Sequence, residues 1–301
     1  AAFHIGLFAL VVTMFIGITG IVVVKLRKLR VKSIPEYYQI RFGNKVRIVG
    51  AIILVVGGIL NMGLFLKVGA IFIQSMFGIA ESELILSAIM IILLAMVLIY
   101  TTLGGMISVI ITDYIQFVVL SIGMILSILF SIYHLGWFNI FTQVEMLAKD
   151  SSIIYDPIQS RGGFYITWQV ILGFVSAVIW PTAITRALSL DSSETVKKQY
   201  LWSSVSFLIR FMVPCFLGIC AYVHFGGFTP ESSWEKLAMM PRYLADILPV
   251  GLLGIMAAAM LAAFMSTHDS YLLCWSTIIT NDIIDPLKGG TLTSSQKINY
   301  S

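Results

Sequence analysis

Long apolar runs separated by short charged loops dominate the chain. They fall at about His4 to Val24, Val46 to Phe77, Leu84 to Tyr100, Met106 to Leu135, Tyr165 to Thr185, Trp202 to Phe225, and Val250 to about Ile283. A helix crossing a bilayer takes about 20 apolar residues. Lipid offers the backbone no partners, so each span must satisfy its own hydrogen bonds. The pattern predicts an all-α polytopic membrane protein, a single transmembrane domain over 1–301 with seven transmembrane helices. The second, fourth and seventh runs exceed the bilayer and are expected to tilt or project into water.

Composition excludes the alternatives. The 301 residues are 58% hydrophobic and 11% charged, with a mean hydropathy of +0.95. A soluble domain carries about 25% charged residues. A disordered chain is excluded on the same ground, and a transmembrane β-barrel would need a polar lumen-facing half. Cys215, Cys220 and Cys274 all lie inside apolar runs and read as packing residues. The chain opens at Ala1 and is apolar by Phe3, with no basic segment before it. That is not a signal peptide; the expectation is a chain that starts partway through a longer protein.

The net charge of +4 is less informative than where the charges lie. The first loop holds Lys25, Arg27, Lys28, Arg30, Lys32, Arg41, Lys45 and Arg47 against Glu36 alone. The positive-inside rule makes it cytoplasmic. Alternation then places Arg186, Lys197, Lys198, Lys288 and Lys297 inside too. The opposite loops hold Lys149, Arg161, Lys236 and Arg242 among the acids Glu81, Glu83, Glu145, Asp150, Asp156, Glu231, Glu235 and Asp246. The expected orientation has the N-terminus outside and the C-terminus cytoplasmic, in the cell membrane. In so apolar a chain the basic loop reads as a topology determinant near anionic lipid, not as a nucleic-acid patch. Ser33-Ile34-Pro35-Glu36 has the cap, first-turn proline and acid of a helix start. Trp137, Trp168 and Trp234 mark span ends, where aromatic belts form.

Ionisable groups inside spans cost several kcal/mol unless paired or hydrated. They are Lys67, Asp113, Arg210, His268 and Asp269. Each marks either a transport pathway or an internal ion pair that fixes packing. In the seventh run, Ala263, Ser266, Thr267 and Ser270 share one helix face, with Asp269 beside them. Hydroxyls with a carboxylate are hard ligands for a hard cation. Equally, Ser and Thr can bond back to their own helix. Asp113 lies roughly 10 Å in from the inner end of its span at ~1.5 Å per residue, a depth similar to that of the stripe, so two carboxylates could bracket one cation. Pro181 interrupts the fifth run after Trp180 and frees a carbonyl. The break is either a simple kink or a broken helix of the kind that binds substrates near the midplane.

Four motifs, in order, resemble the signature of the sodium:solute symporter family. They are Ser33-Ile34-Pro35-Glu36-Tyr37 with Arg41-Phe42-Gly43, and Tyr100-Thr101-Thr102-Leu103-Gly104-Gly105 continuing to Thr112-Asp113-Tyr114-Ile115-Gln116. Pro181 with Arg186 is the third. Ala263-Phe264-Met265-Ser266-Thr267-His268-Asp269-Ser270 with Asn281-Asp282-Ile283 is the fourth. The resemblance implies an inverted-repeat fold of five plus five helices, with half-repeats at about 1–135 and 165–301. The seven runs would be core helices two to eight, without the first and the last two. It implies Na+ as coupling ion at the Ala263 carbonyl and the Ser266 and Thr267 hydroxyls. A second cation site would use Asp113, Asp269 and Ser270, with Ser266 nearby. Asp269 departs from the small hydroxyl residue found in several members. Substrate candidates are Asn61, Lys67, Gly173, Phe174, Ala177, Trp180 and Arg210. Proline-carrying relatives have aromatics where Gly173 and Ala177 stand, so proline is not expected. Lys67 and Arg210, read as buried cations, favour a carboxylate.

The expected function is sodium-coupled import of a small organic solute by alternating access, with no organic cofactor and no nucleic-acid partner. A symporter-like sensor domain that reports a solute to a signalling module is the competing reading. No nucleophile–base pair or phosphate loop supports an enzyme.

Overall fold

A computed structural model describes residues 2–147, 162–228, 230–293 and 296–297. Lys149, Asp150, Asp156 and Arg161 lie outside them. The described residues form helices and connecting turns, with no strand among them. The helices are α1 (Ala2–Thr19), α2 (Val23–Lys28), α3 (Ile34–Phe42), α4 (Asn44–Met76), α5 (Glu83–Leu135) and α6 (Trp137–Leu147). After these come α7 (Gly163–Ile179), α8 (Pro181–Leu188), α9 (Ser193–His224), α10 (Ser233–Ile247) and α11 (Val250–Ile278). A π-helical turn, Ile279–Ile284, leads into the short α12 (Asp285–Leu287).

Among the described residues, five stretches are long and apolar enough to cross a membrane: Asn44–Met76, Glu83–Leu103, Val109–Leu135, Ser193–His224 and Val250–Leu287. The pair α7 and α8, bent by 44°, makes a sixth if it is one span. Gly6–Thr19 is apolar but shorter. Leu60, Ile91, Ile99 and Ile111 stand exposed along these helices, as they should where the solvent is lipid. The chain is a multi-pass helical membrane protein.

Two boundaries differ from the sequence expectation. The first apolar run is helical only to Thr19, not to Val24. Gly20 breaks it with φ +68, and a Cβ there would lie 2.5 Å from Val24 Cγ2 and 2.6 Å from Lys197 Cε. Only glycine meets both demands without strain. The second difference lies in α5, which joins the expected third and fourth spans as one hydrogen-bonded helix of 53 residues. The Gly104-Gly105 pair loosens a helix by about 1 kcal/mol per glycine but removes no hydrogen bond, as a proline would. The helix is nevertheless bent. Gln116 reaches the hydroxyl of Tyr100, although sixteen residues of straight helix would separate them by roughly 24 Å.

The chain divides into two compact units, one of residues 1–60, 156–212 and 270–301, the other of 61–155 and 213–269. The first buries Val12 and Ile16 of α1 with Val23 and Leu26 of α2, Val178 of α7, Ile184 of α8 and Val196 of α9. Here α3 starts as its sequence dictates. Ser33 Oγ accepts from Glu36 N at 3.1 Å, and Glu36 Oε2 accepts from Lys32 N. The second unit buries Phe72 and Met76 of α4 with Ile140 of α6, Leu217 and Cys220 of α9, Tyr243 and Leu244 of α10, and Met256 of α11. Tyr243 has no exposed surface. Burial raises its phenol pKa, which keeps it neutral. Cys220 and Cys274 are buried thiols without a disulfide, and Cys215 is half-buried. The π-turn at the end of α11 is the kind of local widening that often marks a functional position.

Candidate functional site

The hydroxyl stripe of α11 forms as the helical spacing requires. Ser266 Oγ donates to Ala263 O at 3.2 Å and Thr267 Oγ1 donates to the same carbonyl at 2.9 Å. Both hydroxyls thus bond back to their own helix. With each hydrogen on Ala263 O, the two oxygens present lone pairs, the donors that a hard cation takes. The donor set fits a small cation at Ser266 and Thr267. A cation ligated by Ala263 O itself would displace at least one of these bonds. Among the described residues no cluster of three His, Cys, Asp or Glu side chains forms a transition-metal site.

His268 and Asp269 follow the stripe, and both are buried. His268 Nδ1 lies 2.9 Å from Phe264 O, and its ring stacks on Phe264 at 3.9 Å between centroids. Asp269 is 0% exposed. Tyr100 of α5 donates its hydroxyl to Asp269 Oδ2 at 2.5 Å and lies 3.3 Å from Met265 O. Sequence reading treats Tyr100 only as the opening of a motif; the structure makes it the partner of the in-span carboxylate. Asp113 sits half-buried on α5, next to Thr112, whose Oγ1 donates to Val109 O at 3.0 Å.

In the first unit, Ser270 accepts a hydrogen bond from Arg186 Nη2 at 2.5 Å. One of the expected cation ligands is therefore held by a fixed positive charge from α8. The motif position of Arg186 is the only sequence signal for this pairing, which spans 84 residues.

The break at Pro181 is a true break between two helices. Trp180 adopts an extended ψ of 117°, α7 ends before it and α8 begins after it. Pro181 has no N–H to bond the carbonyl four residues back, that of Ala177. Tyr200 supplies the missing donor, its hydroxyl lying 2.9 Å from Ala177 O. The freed carbonyl is thus satisfied from within the unit. Trp180 meets Tyr271 and Trp275 edge-on, at 6.2 and 6.3 Å. Trp275 in turn lies over Gly58, where a Cβ would fall 2.1 Å from Trp275 Cζ2. Phe174 and Ala177 pack against the buried cluster of this unit. Gly173 has open space around its Cα, and Asn61 is half-buried on α4.

Lys67 and Arg210 correct an expectation. The sequence reads both as buried in-span cations, yet both are exposed. Leu64 and Phe65 beside Lys67, and Ile209 and Phe211 beside Arg210, are exposed with them. An in-span charge reveals its cost but not the face it occupies. Arg210 places its guanidinium over Phe207 at 5.6 Å.

A buried ion pair went unread in the sequence. Arg47 Nη2 lies 2.7 Å from Asp282 Oδ1, with Arg47 side-chain exposure at 13% and Asp282 at 0%. Arg47 Nε donates to the same oxygen at 2.8 Å, Nη2 to Asn281 O at 2.9 Å, and Nη1 to Gln39 Oε1. This network ties α3 and the start of α4 to the π-turn after α11.

Comparison with known proteins bears on the family and the fold. The profile of the sodium:solute symporter family matches residues 1–295. The chain is 22% identical over 300 residues to a putative sodium-dependent multivitamin transporter of Drosophila melanogaster, covering 91% of this chain and 47% of that protein. It is 27% identical over 291 residues to sodium/glucose cotransporter 4 of Danio rerio, covering 84% and 43%. It is 27% identical over 293 residues to a sodium/sialic acid symporter of Aliivibrio fischeri, covering 90% and 54%. The chain thus spans about half the length of these relatives, all of which are named as transporters. Among solved structures it resembles a substrate-bound, outward-open Na+-coupled sialic acid symporter. The TM-score is 0.78 at 19% identity, over 99% of this chain and 62% of that one. The shared fold is that of the LeuT-like symporters.

Proposed function

The chain belongs to the sodium:solute symporter family, and on that premise we propose that it works in sodium-coupled import of a small organic solute by alternating access. The observation that carries the proposal is the pair of α11 hydroxyls, Ser266 and Thr267, whose hydrogens point to Ala263 O and whose oxygens can ligate Na+. Sodium binds there, and Ala263 O joins as third ligand by giving up one of the two hydroxyl bonds it accepts. Asp113, Asp269 and Ser270 are the motif candidates for a second cation site; Tyr100 bonds Asp269 within one unit, and Arg186 bonds Ser270 within the other. Bound sodium favours the outward-open state over the inward-open one, by a coupling free energy of ~1–3 kcal/mol.

The solute is met by Asn61, Lys67, Gly173, Phe174, Ala177, Trp180 and Arg210, and Arg210 offers a fork for a carboxylate. The names of the relatives range over glucose, myo-inositol, a vitamin and sialic acid, neutral and carboxylated solutes alike, so they do not choose between the two. The excess of Lys and Arg between α1 and α4 puts that loop in the cytoplasm of a plasma or inner membrane, the chain's N-terminus outside and its C-terminus inside. The half-repeats fall at about 1–135 and 165–301.

Uptake by the full-length protein in proteoliposomes tests the proposal, with a labelled sugar, polyol, vitamin and carboxylate panel. At least one solute should accumulate with an inward sodium gradient and stop accumulating when potassium replaces sodium. Uptake of every panel member without regard to sodium would contradict it. If Arg210→Gln leaves each transported carboxylate unaffected, Arg210 is not the receptor.

A further inference from the structure

The turn between α1 and α2 borders an open pocket of about 560 Å³ outside the proposed sodium and solute machinery. Lys25 and Lys28 of α2 and Lys197 of α9 line it, and no acid does. Neighbouring cations have partners within the chain. Lys198 pairs with Glu194 at 3.1 Å and Arg27 donates to Asp191 O at 3.3 Å. Among the described residues the three pocket lysines enter no ion pair. Three like charges around one cavity repel, so a counter-charge from outside the chain is favoured there. The seat is built into the turn. Lys197 Cε passes where a side chain on Gly20 would stand, so the stem of the lysine lies against the backbone.

The other half of the pocket is apolar. Ile21, Val22 and Leu29 line it and are exposed. On α1, Val11, Phe15 and Ile18 are exposed at 60%, 49% and 63%. Their spacing of four and three puts them on one helix face, a lipid-facing strip that leads to the cationic seat. A soluble phosphate ester would use the lysines and leave this strip idle.

The geometry points to a site for an anionic phospholipid, with its phosphate at Lys25, Lys28 and Lys197 and its acyl chains along Val11, Phe15 and Ile18. Each lysine near such a phosphate strengthens binding roughly fivefold. The full chain, purified in neutral detergent, is titrated with phosphatidylglycerol, phosphatidylcholine and soluble glycerol phosphate, and bound species are counted by native mass spectrometry. Phosphatidylglycerol should remain bound while the other two do not. Lys25→Gln, Lys28→Gln and Lys197→Gln should each weaken it about fivefold, and Lys198→Gln should change nothing. Equal retention of phosphatidylcholine, or a triple variant that binds like the parent, would overturn the site. Glycerol phosphate binding as tightly as the lipid would overturn the lipid assignment in favour of a soluble phosphate. Radioactive sodium binding to the triple variant should be unchanged, which separates this result from the symporter reading.

Discussion

Removing one partner of the Arg47–Asp282 pair should be the costliest single change in the first unit. Asp282 is wholly buried and Arg47 nearly so. The carboxylate takes two contacts from one guanidinium, at 2.7 and 2.8 Å, and the same guanidinium also donates to Asn281 O at 2.9 Å. Arg47→Met strands a buried negative charge, which costs about 3–5 kcal/mol. It also removes the donor to Asn281 O, worth about 1 kcal/mol. Asp282→Asn keeps the shape and strands the guanidinium instead, at a similar cost. The double variant leaves no buried charge, so it should be no less stable than the worse single, a non-additivity of at least about 3 kcal/mol. The four proteins are compared by thermal unfolding in one detergent, where about 4 kcal/mol corresponds to a melting temperature lower by roughly ten degrees. Single variants within about 1 kcal/mol of the parent, or strictly additive losses, would refute the buried pairing.

Other residues allow smaller tests by the same melting assay. Tyr200→Phe leaves the Ala177 carbonyl beside Pro181 without its donor and should cost about 1–3 kcal/mol; no loss would mean that water or another group satisfies it. Gly58→Ala places a methyl 2.1 Å from Trp275 Cζ2 and should cost about 1–3 kcal/mol by overpacking. Trp275→Phe in the Gly58→Ala background should recover part of that loss, and an unchanged melt in the single variant would mean that Trp275 yields freely. Tyr100→Phe removes the donor to buried Asp269, a bond worth about 1.5–3 kcal/mol if the carboxylate is charged. A melt unaffected at neutral pH would show that Asp269 does not depend on that phenol.

The spans were legible because lipid imposes long apolar runs, and the break at Trp180-Pro181 was legible because proline lacks a donor. The end of α1 was not. Ile21-Val22-Val23-Val24 continues the apolar run past Thr19, and the positive φ of Gly20, followed by that of Val22, turns the chain. The α11 stripe was visible as local helical spacing. Its partners were not, because Tyr100 reaches Asp269 across 169 residues and Arg186 reaches Ser270 across 84. Local periodicity says which face of one helix is polar but not which helix meets it. Lys67 and Arg210 show the same limit, since their apolar neighbours suggested burial while the structure exposes both.

The measurement that bears most directly on sodium coupling is equilibrium binding of radioactive sodium to the purified full-length protein. Ser266→Ala/Thr267→Ala is compared with the parent at matched folding, checked by melting. Saturable binding in the parent, weakened at least about tenfold in the double variant, is the expected result; a tenfold change is about 1.4 kcal/mol, within the worth of two lost ligands. Saturable binding that the double variant retains in full, or none in the parent, would contradict a sodium site on α11.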